Sequence, residues 1–479
     1  MSGNLGLRLR RTSVGRTLLA ALAAIVGLGG APPAAAEPAA AGRFLLLTDI
    51  HFNPMADPHL VERLAAGEPA DWLPILNASA DKSLGGYGAD TNWRLLQSAL
   101  EYMKAAAPHP AFVLITGDFL AHHFREQFNT AAREHSDAAF RGFVAKTMRF
   151  LALEIEATFP DTPILPALGN NDEICGDFEM QPNGPFLADM LPVVSGLVGN
   201  HADPDLGRDW TNYGNYSATV PGASRVRLIF ANTVLFSRRY RNACGVPGGD
   251  PGQATLTWLS AQLATAERRR EHVWLAYHVP PGIDGFATWH LGSCPDKLIP
   301  MWDQRYAQPA YALLRRYAGT VTASFAGHTH MDDFRLVGEG GHYFGFVLIT
   351  PALSPIFGQN PAFRAVEYDA EGSILDQTTY DLTNLPEAGA NQPANWQPEY
   401  AFRREWHLPS VALTDLERLY TMITTQPKDR ALWHRLFVAS SPYYWAHSSD
   451  AANVIRAYDC ATGQVSAGDF GRCWCGDKK

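Results

Sequence analysis

Five short apolar runs recur along the chain, and each ends on residues able to bind a metal. Phe44-Leu45-Leu46-Leu47-Thr48 leads into Asp49 and His51. Phe112-Val113-Leu114-Ile115-Thr116 leads into Gly117-Asp118, and residues 164–168 lead into Gly169-Asn170-Asn171-Asp172. Val273-Trp274-Leu275-Ala276-Tyr277 precedes His278, and residues 321–326 precede Gly327-His328-Thr329-His330. Continuous apolar runs of this length suit strands buried on both faces. Segments 93–103, 140–155, 255–267 and 306–317 instead carry apolar residues at helical spacing. Alternating strands and helices predict a layered α/β architecture. In such folds the site lies beyond the carboxyl ends of the strands, which is where all the candidate ligands fall.

Residues 343–349 and 363–368 read as further strands of the sheet. The segment 384–397 is rich in Pro, Asn and Ala and reads as a linker or wrapping loop. Residues 410–441 read as helical, with Leu413, Leu416, Leu419 and Tyr420 on one face. The first residues do not read as part of the fold. Arg8, Arg10, Arg11 and Arg16 precede an uncharged apolar run, 18–28, and Ala34-Ala35-Ala36 supplies small residues for cleavage. This is the pattern of a secretory signal over residues 1–36. The expected organisation is therefore a signal at 1–36, a catalytic domain at 43–383, and a linker plus a small C-terminal helical subdomain at 384–479. No later stretch is apolar enough to span a bilayer, so the mature protein is expected to be soluble. With the signal it is expected to be exported, secreted or periplasmic, and it is expected to be a monomer.

Composition narrows the partners. With 46% hydrophobic and 18% charged residues the chain is globular, not disordered. A net charge of -9 argues against binding nucleic-acid duplexes or anionic membranes broadly, but leaves room for a local basic pocket. The six cysteines, Cys175, Cys244, Cys294, Cys460, Cys473 and Cys475, suit three disulfides in an exported protein. Cys473 and Cys475 are too close to pair easily, so one of them is expected to bond Cys460. Asn77-Ala78-Ser79 and Asn215-Tyr216-Ser217 are glycosylation sequons.

Each ligand motif is weak alone, because an Asp at a strand end is usually a turn former. Together, and in this order, the set Asp-x-His, Gly-Asp, Gly-Asn-x-Asp, lone His and Gly-His-x-His resembles the calcineurin-like metallophosphoesterases. Asp250-Pro251-Gly252-Gln253, His278-Val279-Pro280-Pro281-Gly282 and His328-Thr329-His330-Met331-Asp332-Asp333-Phe334 are similar to the acid-sphingomyelinase-like branch. That resemblance implies a layered β-sandwich flanked by helices, with a small disulfide-stapled helical subdomain. It implies two divalent cations, zinc in an exported setting, with manganese or iron able to use the same ligands. Asp49, His51 and His330 are expected to hold the first and Asn170, His278 and His328 the second, with Asp118 shared. A metal-bridging hydroxide would attack phosphorus in line. The resemblance also implies a Cys244–Cys294 disulfide bracing the pocket wall, and leaves Cys175 without an assigned partner.

One departure bears on catalysis. Many relatives carry His after the Asn of Gly-Asn-x-Asp, where it helps protonate the leaving group. Here Asn171 stands there, and an amide donates a hydrogen bond but is no acid near neutral pH. His122 matches a second histidine of the branch and is expected to act as the acid, with His123 as the substitute. The alternative is that His122 only orients phosphate. His123 and His290 are the substrate-binding candidates. Because the catalytic strand follows the signal directly, lipid extraction is expected less than hydrolysis of a soluble phosphodiester or nucleotide. A phosphomonoesterase or polyphosphatase on the same site is the alternative, and a non-catalytic exported binding module a third.

Overall fold

The computed structural model describes residues 39–242, 244–245, 249–294, 297–389, 392–447 and 451–476. The expected signal segment lies outside them. Among the described residues, twelve strands form two six-stranded sheets. The first contains β1 (Gly42–Leu47), β2 (Val113–Ile115), β3 (Ile164–Pro166), β10 (Ala362–Tyr368), β11 (Ile374–Leu382) and β12 (Trp396–Ala401), in the order β12-β11-β10-β1-β2-β3. The second contains β4 (Tyr216–Val220), β5 (Ala223–Phe230), β6 (His272–Ala276), β7 (Val321–Ala326), β8 (Asp333–Glu339) and β9 (His342–Ile349), in the order β4-β5-β6-β7-β9-β8. The strands that lead to ligands run parallel, β1 with β2 and β3 in one sheet, β6 with β7 in the other. Their carboxyl ends therefore deliver loops to one site.

Aromatic side chains join the sheets. Phe44 of β1 stacks on Phe112 at 4.5 Å and lies 5.7 Å from Trp274 of β6 and 5.6 Å from Phe325 of β7. All four are fully buried, and aromatic pairs at such spacings add attraction beyond area burial. Helices cover the outer faces at the places their spacing predicts. The helix Trp93–Ala106 begins where Asn92 accepts a hydrogen bond from Leu95 N at 2.9 Å, and Asp137–Thr158 where Ser136 accepts from Ala139 N at 3.2 Å. Asp250 caps Pro251–Arg269 by accepting from Gln253 N at 2.9 Å, and it also accepts from Tyr306 at 2.6 Å. Its motif is thus a helix start with proline at the first position.

Several elements were not anticipated. The hairpin β4–β5 builds the edge of the second sheet. β12 begins at the end of the expected linker and pairs antiparallel with β11, which extends the first sheet. The helical stretch 410–441 is two helices, Leu413–Thr425 and Pro427–Phe437. Proline cannot continue a helix without losing a hydrogen bond, so Pro427 opens the second. The C-terminal helices pack on β8 and β9, and Ala39–Lys479 forms one unit. Among the described residues no helix is long and apolar enough to cross a membrane.

The disulfides are Cys175–Cys244, Cys294–Cys475 and Cys460–Cys473. The last fulfils the expected bond from Cys460. The expected Cys244–Cys294 pairing is corrected. Arg241 N donates to Phe178 O at 2.9 Å, so the strand-like contact between these loops brings Cys244 within 5.4 Å of Cys175, Cα to Cα. Cys294 instead follows the helix Gly285–Leu291, which packs on Ala451–Gly463 and leads it to Cys475. Asn215 is also corrected as a sequon. Its side chain is buried, donating to Thr255 and accepting from Asn232 N, and offers no acceptor for a glycan in the folded chain.

Candidate metal centre

Loops after five strands carry the ligand-type residues: Asp49 and His51 after β1, Asp118 after β2, Asn170 after β3, His278 after β6, His328 and His330 after β7. Five of them adopt positive φ: Asp49 at 47°, His51 at 43°, Asp118 at 56°, His328 at 73° and His330 at 66°. L-residues avoid this region at a cost of about 1–2 kcal/mol each. Such strain persists only where surrounding contacts over-determine the geometry, and it concentrates at functional sites. The motif glycines allow the close approach. A Cβ on Gly169 would lie 2.0 Å from Asp118 Oδ1, and one on Gly327 would lie 1.9 Å from Thr48 Oγ1.

The donor atoms converge. His51 Nε2 lies 3.2 Å from His330 Nε2 and 3.4 Å from Asp118 Oδ2. His330 Nε2 lies 3.2 Å from Asp49 Oδ1. His278 Nε2 lies 3.2 Å from Asp118 Oδ2 and 3.1 Å from Asn170 Oδ1. Asp118 thus stands between the two groups. His328 joins through its ring, 5.1 Å from that of His278, and its N–H donates to Asp49 at 2.9 Å.

Outer partners fix which atom of three candidate ligands, His51, His278 and Asn170, faces inward. His51 Nδ1 lies 2.9 Å from Leu120 O, and His278 Nδ1 lies 2.8 Å from Thr116 O. A carbonyl accepts, so Nδ1 carries the proton and Nε2 keeps its lone pair for a cation. Asn170 Nδ2 donates to Asp177 at 2.8 Å, which turns its Oδ1 toward His278. Asp172 accepts from the backbone N–H groups of Asp118 at 3.0 Å, Phe119 at 2.6 Å and Gly169 at 2.6 Å. It ties the β2 loop to the β3 loop, as a bracing residue does.

The electrostatics call for cations. Burial by itself would suppress charge on His51 and His278, yet Asp118 and Asp49 raise both imidazoles to about 9. Burial would likewise raise Asp49 and Asp118, yet the neighbouring histidines hold both well below the usual carboxylate range. His328 is pushed down to about 3, by burial and then by His278. Buried carboxylates are thus neutralised by protons on nitrogens that are themselves ligand types. Divalent cations would replace those protons, and the imidazole, carboxylate and amide set fits transition metals better than calcium or magnesium.

The remaining expected residues separate. Asn171 N and Nδ2 donate to the two oxygens of Asp118 at 2.8 and 2.9 Å. The His122 ring stacks on His51 at 4.0 Å. His122 Nδ1 lies 3.0 Å from Asp90 Oδ1, its N–H donates to Asp90 at 2.9 Å, and Asp90 also accepts from Ser354 at 3.1 Å. His123 is exposed and lines a cavity beside Asn171. His290 is exposed against Phe286 at 4.4 Å and lines neither cavity at the centre. Asp90, Asp177, Arg239 and Phe357 were missed. Gly88-Ala89-Asp90 reads as an ordinary turn, and nothing in the sequence links Asp177 to Asn170 or Phe357 to His330.

A match to the calcineurin-like phosphoesterase family spans residues 42–332, and the chain belongs to that family. It is a metal-dependent phosphoric ester hydrolase with a dinuclear metal centre. Among curated proteins it is similar to Acid sphingomyelinase-like phosphodiesterase 3b of Mus musculus, 27% identical over 90% of this chain and 90% of that one. Cyclic GMP-AMP phosphodiesterase SMPDL3A of Mus musculus is 26% identical, covering 86% of this chain and 87% of its own. Sphingomyelinase phosphodiesterase D of Dictyostelium discoideum is 25% identical, covering 72% and 70%.

Proposed function

We propose that this protein is an exported, dinuclear phosphodiesterase that hydrolyses a soluble phosphodiester or nucleotide. The observation that carries the reading is the convergence of Asp49, His51, Asp118, Asn170, His278, His328 and His330 from five loops. Relatives named for phosphodiesterase activity over most of the chain support it. Asp49, His51 and His330 would hold one cation, Asn170, His278 and His328 the other, with Asp118 shared and zinc as the metal. Bound there, the cations would neutralise the phosphate and lower the pKa of a water toward neutrality.

The chain's own backbone and side-chain groups do the rest. Thr116 O and Leu120 O keep the ligand imidazoles in one tautomer. Asp177 fixes the amide of Asn170. His122, with Nδ1 held by Asp90, gives the leaving oxygen a proton from Nε2, a role that Asn171 cannot fill. Asn171 holds Asp118 in place. Three disulfides agree with an oxidising compartment outside the cytosol.

Turnover of bis-p-nitrophenyl phosphate and p-nitrophenyl phosphate, with metal counted on the same sample, tests the reading. Two metals per chain and diester preference are expected. Monoester preference would reassign the chain as a phosphatase, and absence of both metal and turnover would overturn the centre.

A further inference from the structure

Two cavities border the metal centre, at different residues. One, of about 570 Å³, includes Asn171, which bonds Asp118. The other, of about 590 Å³, includes the ligand His328. Arg239 lines both.

The first cavity is strongly charged. Arg125, Arg238, Arg239 and Arg241 line it together with Glu126, Glu173, Asp177 and Glu179. Three of them have carboxylate partners, Arg125 with Asp137, Arg239 with Asp177 and Arg241 with Glu179. These pairs are largely solvent-exposed, so an entering anion displaces little stabilisation. Arg238 makes no ion pair or hydrogen bond among the described residues. Arg239 is held in place, its guanidinium 4.2 Å over the Phe178 ring and 2.5 Å from Asp177, whose other oxygen accepts from Asn170. A guanidinium carries five N–H donors, so Arg239 can keep Asp177 and still bind a second anion. Glu173 also lines this cavity. Burial pushes its carboxyl up to about 8, so at neutral pH it does not oppose an anion.

The second cavity is apolar and aromatic. Phe286, Phe357 and Tyr443 line it while remaining 50%, 48% and 36% exposed. Phe357 stands edge-on to His330 at 4.5 Å. Exposed aromatic faces beside a reaction centre have a use when a flat or apolar group stacks on them.

We propose that the substrate straddles the centre, with an apolar or aromatic substituent of the phosphodiester in the cavity of Phe286, Phe357 and Tyr443, and a second anionic group in the cavity of Arg238 and Arg239. This rests on the phosphodiesterase reading above and selects among its substrates. A cationic second substituent lacks the charge that Arg238 and Arg239 accept, so a diester carrying one is expected to be a poorer substrate than one carrying an anionic group.

The test uses the metal-loaded full chain and three p-nitrophenyl phosphodiesters whose second ester is carboxyethyl, propyl or choline. The leaving group is the same in all three, and its ring takes the aromatic cavity. The expected order of kcat/KM is carboxyethyl, then propyl, then choline, with roughly tenfold between the first and the last. Arg238→Glu should reverse that order and Arg238→Lys should keep it. Calorimetric binding of the matching non-hydrolysable phosphonates should follow the same order. Equal rates on the three esters, or choline fastest, overturns the proposal and leaves the phosphodiesterase standing. No turnover of any ester by protein carrying two metals overturns both.

Discussion

The two cavities beside the metal centre are nearly equal in volume, about 570 and 590 Å³, and opposite in chemistry. The arginine cavity is built by the loops after β2 and β3 and by residues 238–241, and Cys175, bonded to Cys244, lies on its wall. The aromatic cavity is built by residues 284–287, by the loop before β8 and the segment after β9, and by Phe437, Tyr443, Tyr444 and Tyr458 of the C-terminal helices. The centre they share is fixed by strand ends, whereas the walls come from loops and from the last segment of the chain. The two walls nevertheless touch the centre, through Asn171 on one side and His328 on the other, while their arginine and aromatic side chains lie outside the candidate ligand set.

The largest expected effect removes what both cavities share. Asp118→Asn weakens the site at its central carboxylate, so kcat on every diester should fall by about 10³ or more, together with bound metal. Equal loss on all esters would sharpen the division, while loss confined to one ester would break it. Next comes His122→Ala. A lost proton donor should cost roughly 10²-fold on an alkyl leaving group and far less on p-nitrophenolate, which needs no proton. Equal loss on both would leave His122 the orienting role instead. Phe357→Ala removes an aromatic wall and should raise KM for aromatic esters about fivefold, from roughly 1 kcal/mol of stacking, with little change for an all-alkyl diester.

The smallest effect concerns stability. The folded Glu173 carboxyl is raised to about 8, chiefly by burial. A raised pKa means the folded state holds its proton more tightly than the unfolded one, so the stabilisation is full below the ordinary glutamate range. It is lost as pH rises through about 8. Glu173→Gln should flatten that pH dependence and raise Tm by a few degrees at alkaline pH, measured by thermal unfolding. An unchanged pH profile would remove Glu173 from the account of the arginine cavity.

The sequence determined the candidate ligand set and the framework that carries it. Apolar runs too continuous for half-exposed strands had to be buried, and each placed its following polar residues at a strand end. That pattern located Asp49, His51, Asp118, Asn170, His278, His328 and His330 and the elements that bring them together. Pro427, Asn92, Ser136 and Asp250 also act where local chemistry says they should, because caps and prolines depend only on neighbours in the chain. Tertiary structure alone decided the rest. The disulfides join Cys175 to Cys244 and Cys294 to Cys475, across separations of 69 and 181 residues, and only packing sets which loops meet. Asp90 reaches His122, Asp177 orients Asn170, and Tyr443 faces a cavity that ends at His328 for the same reason. A strand's burial is written in its own side chains, but the partner of a loop residue is set by how distant strands and helices stack, and no local pattern records that distance.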